Sequence, residues 1–270
     1  MAIHPTSLVE DGAVLGAGVE IGPFCSVGPN ACLGDGVRLI SHVSILGHTQ
    51  IGARTTVYPG AILGGDAQIR GDQTAYAKLV VGEDCVIREC VTMNCGSAKD
   101  KGVTSIGARG YFMGYSHVGH DCVVGDDVTF ANGTQLGGHV VIGQGVVMGG
   151  LSAVQQFGRV GKGAMIGGLS GVNTDVIPYG IAAGEHAELG NLNLIGLKRR
   201  GLSKDSINAL RATFRSIFLE GGGSLADRAS KARERWGSVP EVAEMVDFIL
   251  APAKRPICLA RRRAGSDSDE

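Results

Sequence analysis

Apolar residues recur at every sixth position without a slip through Ile3, Val9, Leu15, Ile21, Val27, Leu33, Leu39, Ile45, Ile51, Val57 and Leu63. A second run passes through Ile106, Phe112, Val118, Val124, Phe130, Leu136, Ile142, Met148, Val154, Val160, Ile166 and Val172. A period of six is neither the 3.6 of a helix nor the 2.0 of a strand. It predicts a mainly β fold, the left-handed parallel β-helix built from hexapeptide repeats. Short strands alternate with turns, three hexads close one triangular coil, and one apolar side chain per hexad points into a narrow core. Gly follows several anchors, as at Gly22, Gly28, Gly34 and Gly52, where the chain turns a tight corner. Such a rod buries its core only by stacking coils. With 44 Gly and only 5% aromatic residues, the 270-residue chain suits a thin solenoid better than a thick globular core.

The lattice breaks twice. Val81 stands three whole hexads beyond Leu63, which keeps the register, whereas Ile106 stands two hexads and one further position beyond Met93, which shifts it. Loops are therefore expected at 64–80 and 94–105, the second bulging out of the prism. Long loops on a rigid scaffold tend to carry function. The hexads stop near Pro178 and helical periodicity takes over. The expected organisation is a β-helix over 1–186, a helical C-terminal domain over 187–263 and a disordered tail over 264–270. Helices are expected at 192–200, at 203–220 before Gly221-Gly222-Gly223, at 224–236, and from a capping box at Ser238–Glu241 to about Leu250.

Net charge is close to zero but split. Residues 1–186 carry 10 Lys/Arg against 15 Asp/Glu, and residues 187–270 carry 15 against 11. A basic third suits an acidic partner, but nothing matches a nucleic-acid-binding motif, so no nucleic acid is expected. The seven cysteines form no CxxC pair, and Cys25, Cys85, Cys90 and Cys122 fall in hexads where a small buried residue fits. They read as reduced core thiols of a cytoplasmic protein. The first repeat starts at once, which argues against a signal peptide, and no apolar run approaches the ~20 residues of a membrane span, so no membrane insertion is expected.

The densest titratable cluster is Tyr115-Ser116-His117-Val118-Gly119-His120-Asp121-Cys122. One coil beyond His120 comes Gly138, and one coil beyond that Gln156, so the three should stack in one column with His139 beside it. Stacked coils sit about one strand spacing, ~4.8 Å, apart. Histidine suits proton transfer near neutrality, and a glycine N–H one coil away can serve an oxyanion. His120, its neighbour Asp121 and Gly138 thus outline an acyl-transfer site. The plainer alternative is a set of polar surface histidines. A metal is not expected, because His117 and His120 are only three apart and no third His stands at a persuasive spacing.

Several motifs carry a more specific resemblance: His4-Pro5-Thr6, Ile21-Gly22-Pro23-Phe24-Cys25, Ser41-His42-Val43, Gly47-His48-Thr49, His117-Val118-Gly119-His120-Asp121-Cys122, Gly138-His139-Val140, Gln156-Phe157, Gly167-Gly168 and Gly196-Leu197-Lys198-Arg199-Arg200-Gly201. Over about residues 3–250 the chain resembles the acyl-[acyl-carrier-protein]–UDP-N-acetylglucosamine O-acyltransferases. The resemblance implies a homotrimer with sites between neighbouring prisms. It implies transfer of a 3-hydroxyacyl group from acyl carrier protein to the 3-hydroxyl of a UDP-sugar acceptor, UDP-N-acetylglucosamine, as the first step of lipid A biosynthesis. No cofactor and no metal is implied.

By motif, His120 resembles the general base, Asp121 its partner and Gly138 the oxyanion donor. His117 and His139 line the site, and Gln156 contacts donor or acceptor. His186, Asn193, Arg199 and Arg200 correspond to contacts with the nucleotide end, Gln68 matches the first loop, and Gly168 falls where the family measures acyl length. The chain departs from the family pattern at Asn94-Cys95-Gly96, Gln155, Ile195 and most of 65–78. Two alternatives stand beside this reading: the same chemistry on a UDP-sugar 3-amine, and a non-catalytic β-helix scaffold.

Overall fold

The computed structural model describes residues 2–71 and 76–260. Most hexads become a two-residue strand and a turn, so the chain runs up a triangular prism. Each strand pairs in parallel with the one a coil away: Ile3 with Ile21, Val27 with Ile45, Leu15 with Leu33. The three walls are sheets of 11, 9 and 8 strands, called here the first, second and third in the order the chain visits them.

From Ile21 to Val172 every anchor of the two runs is at most 3% exposed. Ile3 in the first coil is 42% exposed, because no coil among the described residues lies beneath it. The core is richer than one side chain per hexad. A smaller residue two positions before each anchor is also buried, as at Val19, Cys25, Ala31 and Val37, since alternate residues of an extended segment share a face. At the corners the third turn residue adopts a left-handed conformation. Phe24, Arg109, Asp121, His139 and Phe157 have φ between +58° and +65°. This explains one misplaced thiol: Cys90 has φ +57° and occupies the corner half-exposed, while Val91 takes the buried slot. The other hexad thiols, Cys25, Cys85 and Cys122, are buried, and all seven cysteines are free.

The two insertions leave and return at the same edge. Val81 pairs with Ile51, one coil and two extra hexads away, and Ile106 pairs with Val81, one coil, one extra hexad and a single position away. Both depart from the second sheet, after Ile62–Gly65 and Thr92–Asn94, and re-enter the third at Lys78–Val81 and Val103–Ile106. The irregular stretches are thus shorter than the expected loops, because the sheet hydrogen bonding captures their ends. Stacking on consecutive coils, the insertions form a wall just before the 119–122 turn on the edge between the second and third sheets.

Beyond the prism, residues 188–192 are not helical. Glu188–Leu192 is a strand that folds back antiparallel on Gly180–Ala183. Four helices follow: α1 (Leu194–Arg199), α2 (Lys204–Phe214), which runs into a π-helical turn at Arg215–Leu219, α3 (Leu225–Trp236) and α4 (Pro240–Leu250). The capping box lies at α3, where Ser224 and Asp227 exchange bonds. The one expected at Ser238–Glu241 does not form, because α4 starts one position later with Val239 at the cap and Pro240 in the first turn. The chain then returns to the prism, where Ile257 bridges Asp175 and Ala260 bridges Leu189. Residues 261–263 and the tail expected at 264–270 lie outside the described residues. No described helix is long and apolar enough to cross a membrane.

Candidate active site

The coil arithmetic around His120 holds in space. The His120 carbonyl accepts from the His139 N–H at 2.9 Å, and the Gly138 carbonyl accepts from the Phe157 N–H at 3.0 Å. His120, Gly138 and Gln156 therefore form one column, with Asp121, His139 and Phe157 the next. The His120 ring lies over Gly138. A Cβ there would stand 2.4 Å from His120 Cε1 and Nε2, so only glycine leaves room for the imidazole. The Gly138 N–H has no hydrogen-bond partner among the described residues.

Asp121 is buried and holds His120 from behind. His120 Nδ1 lies 2.9 Å from Asp121 Oδ2. Burial by itself raises the Asp121 carboxyl. The Ser97 hydroxyl, His120, the Ser97 N–H and the charge of His139 outweigh it and hold the carboxyl below its ordinary value. An ionised carboxylate only accepts, so Nδ1 carries a proton, and in the neutral ring the lone pair lies on Nε2, the nitrogen over Gly138. Asp121 also donates its backbone N–H to Thr104 Oγ1 at 2.8 Å.

Around this pair the remaining histidines are held in place. His139 stacks on Phe157, ring centroids 4.5 Å apart, and its Nδ1 lies 2.9 Å from Asp100 Oδ2. Lys254 Nζ sits 3.8 Å from the Phe157 ring centroid, and Arg255 donates twice to the Gln156 carbonyl. His117 lies one strand earlier, with Nδ1 2.8 Å from Thr92 Oγ1. Burial, helped by the charge of His120, holds the His117 pKa below its ordinary value. His120, Asp121 and His139 bring one potential ligand atom each within 4.8 Å, the grouping among the described residues best able to hold a metal. Two of those three groups, His120 Nδ1 and Asp121, are already paired with each other, as a proton-transfer relay requires.

The other residues singled out by motif lie elsewhere on the same chain. Gly168 sits on the edge between the first and second sheets, where a Cβ would approach Gly150 O to 3.3 Å and no positive φ is required. His186 is exposed in the hairpin turn between the last two strands. Arg200 lies on the edge between the third and first sheets, packed against Gly145 and Gly163 and bonded to the Gly145 carbonyl. Asn193 caps α1 by accepting from the Gly196 N–H and donates to Gly163 O. Arg199 is exposed at the end of α1, and Gln68 is exposed in the first insertion. One chain therefore gathers His117, His120, Asp121, Gly138, His139 and Gln156 at one edge, with Gln68 exposed in the first insertion on that edge, but places Gly168, His186, Asn193, Arg199 and Arg200 elsewhere. Sequence reasoning missed Ser97, Asp100, Phe157, Lys254 and Arg255. Phe157 was within reach, because it stands one coil beyond His139.

Known proteins are similar to this chain in both sequence and architecture. The family model described as UDP N-acetylglucosamine O-acyltransferase, domain 2, matches residues 175–258. A model for the GMPPB C-terminal domain matches residues 3–104. The chain is 46% identical over 260 residues to the acyl-[acyl-carrier-protein]–UDP-N-acetylglucosamine O-acyltransferase of Sinorhizobium fredii, with 96% of each covered. It is 47% identical over 280 residues to the enzyme of the same name from Brucella ovis, covering 99% of this chain and 98% of that one. The structure of LpxA from Acinetobacter baumannii superposes with a TM-score of 0.92 at 34% identity, covering 96% of this chain and all of the other. Similarity that spans the prism, both insertions and the helices together settles the matter: the chain belongs to the UDP-N-acetylglucosamine O-acyltransferase family.

Proposed function

We propose that this enzyme transfers a 3-hydroxyacyl chain from acyl carrier protein to the 3-hydroxyl of UDP-N-acetylglucosamine, the first step of lipid A biosynthesis. The observation that carries the reading is the His120 imidazole lying over Gly138, whose N–H is unpartnered among the described residues. His120 Nε2 takes the proton of the sugar hydroxyl while its oxygen attacks the thioester carbonyl. The carbonyl oxygen becomes an oxyanion and accepts from the Gly138 N–H. Collapse forms the ester and breaks the C–S bond, and the leaving thiolate recovers the proton from His120. Asp121 keeps Nδ1 protonated and steadies the imidazolium between these steps.

The working unit is a homotrimer. The motif residues occupy three different edges of one prism, and only the packing of prism against prism brings His120 beside Arg199 and Arg200 of a neighbouring copy. Leu151 and Leu169 stand exposed on successive coils of the first–second edge, with Tyr115 two coils before them in the same column beyond Gly133, the kind of apolar surface that associating prisms bury. Arg211, Arg215 and Arg235 rim an open groove of about 1390 Å³ among the helices. With Lys198 and Arg199 they form the basic surface for the acidic carrier protein, while Arg261, Arg262 and Arg263, which the sequence adds to that surface, lie outside the described residues. The seven free thiols fit a reducing compartment, and we place the enzyme in the cytoplasm.

The test is His120→Ala, assayed for acyl transfer with one 3-hydroxyacyl carrier protein across a panel of UDP-sugars, products identified by mass. Loss of the base lowers kcat by about 10²–10⁴-fold with an unchanged melting temperature. A folded variant keeping more than a tenth of wild-type turnover refutes the base assignment. Acylation of a 3-amino sugar in preference to UDP-N-acetylglucosamine refutes the acceptor.

A further inference from the structure

The second insertion builds the floor of the catalytic corner. It leaves the second sheet after Asn94 and, before re-entering at Val103, brings two polar side chains against the column. Ser97 is fully buried and directs both of its donors at Asp121: its N–H reaches the two carboxylate oxygens at 3.0 and 3.1 Å, and its hydroxyl reaches Oδ2 at 2.6 Å. Oδ2 is also the atom that holds His120 Nδ1. Three positions further on, Asp100 reaches out of the same insertion to His139 Nδ1 at 2.9 Å, while His139 Nε2 faces Asp121 Oδ2 at 4.0 Å.

Asp121 stands at a strained corner with φ +58° and is held there by groups outside its own coil. Without Ser97 its carboxylate would keep the bond to His120 but be free to swing about its Cα–Cβ bond. A hydroxyl and an N–H converging on one carboxylate leave a single orientation, the one in which Oδ2 meets Nδ1. Hydrogen bonds to a buried charged group are the strong kind, and leaving one unmade is costly. A fixed carboxylate then fixes the imidazole plane over Gly138.

We infer that Ser97 and Asp100 are positioning residues: the insertion aims the His120–Asp121 pair through Ser97 and the His139 ring through Asp100. The inference rests on His120 being the base. Neither residue touches the reacting atoms, so their loss lowers turnover without weakening substrate binding.

Three variants of the full-length enzyme test it, with kcat and KM measured separately for UDP-N-acetylglucosamine and for a 3-hydroxyacyl carrier protein. Ser97→Ala lowers kcat about tenfold, the loss of one charged hydrogen bond, with both KM values within about twofold of wild type. Asp100→Asn, at an exposed side chain where folding is not at stake, lowers kcat about threefold in the same manner, since Phe157 still supports His139. In an Asp121→Ala background Ser97→Ala adds nothing, because the group it aims is gone. Wild-type kcat in Asp100→Asn, a loss confined to KM, or full additivity with Asp121→Ala overturns the inference. If His120→Ala retains activity the underlying reading fails instead, so the two failures are told apart.

Discussion

The contact between His120 and Gly138 makes the sharpest test of the site, because a single methyl group is enough to displace the base. In Gly138→Ala the new Cβ would stand 2.4 Å from His120 Cε1 and Nε2, whereas ordinary contact begins at 3.4 Å. The ring must therefore retreat by 3.4 minus 2.4, or about 1 Å. The backbone offers no relief, since it is hydrogen-bonded at His139 N–H below and Phe157 N–H above. Retreat pulls Nδ1 from Asp121 and carries Nε2 out of line with the acceptor. Misplacement on that scale costs about 10²-fold in rate. The residue has no positive φ, so alanine is conformationally acceptable there and the melting temperature should stay near wild type. The assay is kcat with both substrates saturating, alongside His120→Ala and the double variant. The double variant should be no slower than His120→Ala alone, because there is no imidazole left to displace. A Gly138→Ala enzyme with more than a third of wild-type kcat would refute the argument, as would a double variant slowed by the full product of the single losses.

Three further outcomes follow from the same geometry. Gly168→Met should shift preference toward a shorter acyl donor: no positive φ demands glycine there and a Cβ asks Gly150 O at 3.3 Å to give only slightly, while blocking about four methylenes at about 0.8 kcal/mol each forfeits about 3 kcal/mol, roughly a hundredfold, read by competition between short and long acyl carrier proteins. An unchanged ratio in a folded trimer would place the chain-length limit elsewhere. His117 should titrate below 6.5 by NMR in the folded enzyme. A folded-state value below the unfolded one means that its contribution to stability is complete above pH 6.5 and is lost as pH falls through the folded value, so a midpoint at or above 6.5 contradicts the burial argument. Association with the carrier protein should weaken steadily as salt rises, because steering between exposed charges is screened over about 8–10 Å at 0.1–0.15 M. A flat response would exclude the basic helices as the docking surface.

What the sequence revealed and what it withheld divide along one physical line. Where the coil period is unbroken, addition predicts contact, and His120, Gly138 and Gln156 stack as counted. The anchors, and the small residues two before them, follow from alternation alone. Cys90 shows the resolution of such counting: one position separates a buried slot from a half-exposed corner, and the motif did not distinguish them. Ser97 and Asp100 were invisible because the insertion suspends the register, and nothing local says that a hydroxyl just past Asn94 will meet the carboxylate of Asp121, a whole coil and more along the chain. The odd position in the gap between Met93 and Ile106 did mark the segment as displaced from the prism, without saying toward what. Asn193 resembles a nucleotide-end contact by motif, and in the fold its side chain also caps α1 and donates to Gly163, a packing role that the motif alone does not show. Helix caps and nucleotide contacts favour the same amide, and only packing separates them.

The two ends of the prism are finished differently. At its last coil Asp175 sits in a lock made from distant sequence: its N–H donates to Pro256, its carbonyl accepts from Cys258, and its carboxylate holds Arg159. No described residue lies beneath the first coil, where Ile3 stays open to water and the anchors Val9 and Leu15 are only half-buried, unlike every later anchor. In a stack where each layer is held only by its neighbours, an unzipping front starts where a neighbour is missing and runs toward the lock. Amide exchange should therefore be graded along the rod, fastest at Ala2–Ile3 and slowest in the coils next to Asp175. The catalytic corner lies far from the fraying end and close to the latch, so the enzyme can lose its outermost rungs and still keep its chemistry aligned.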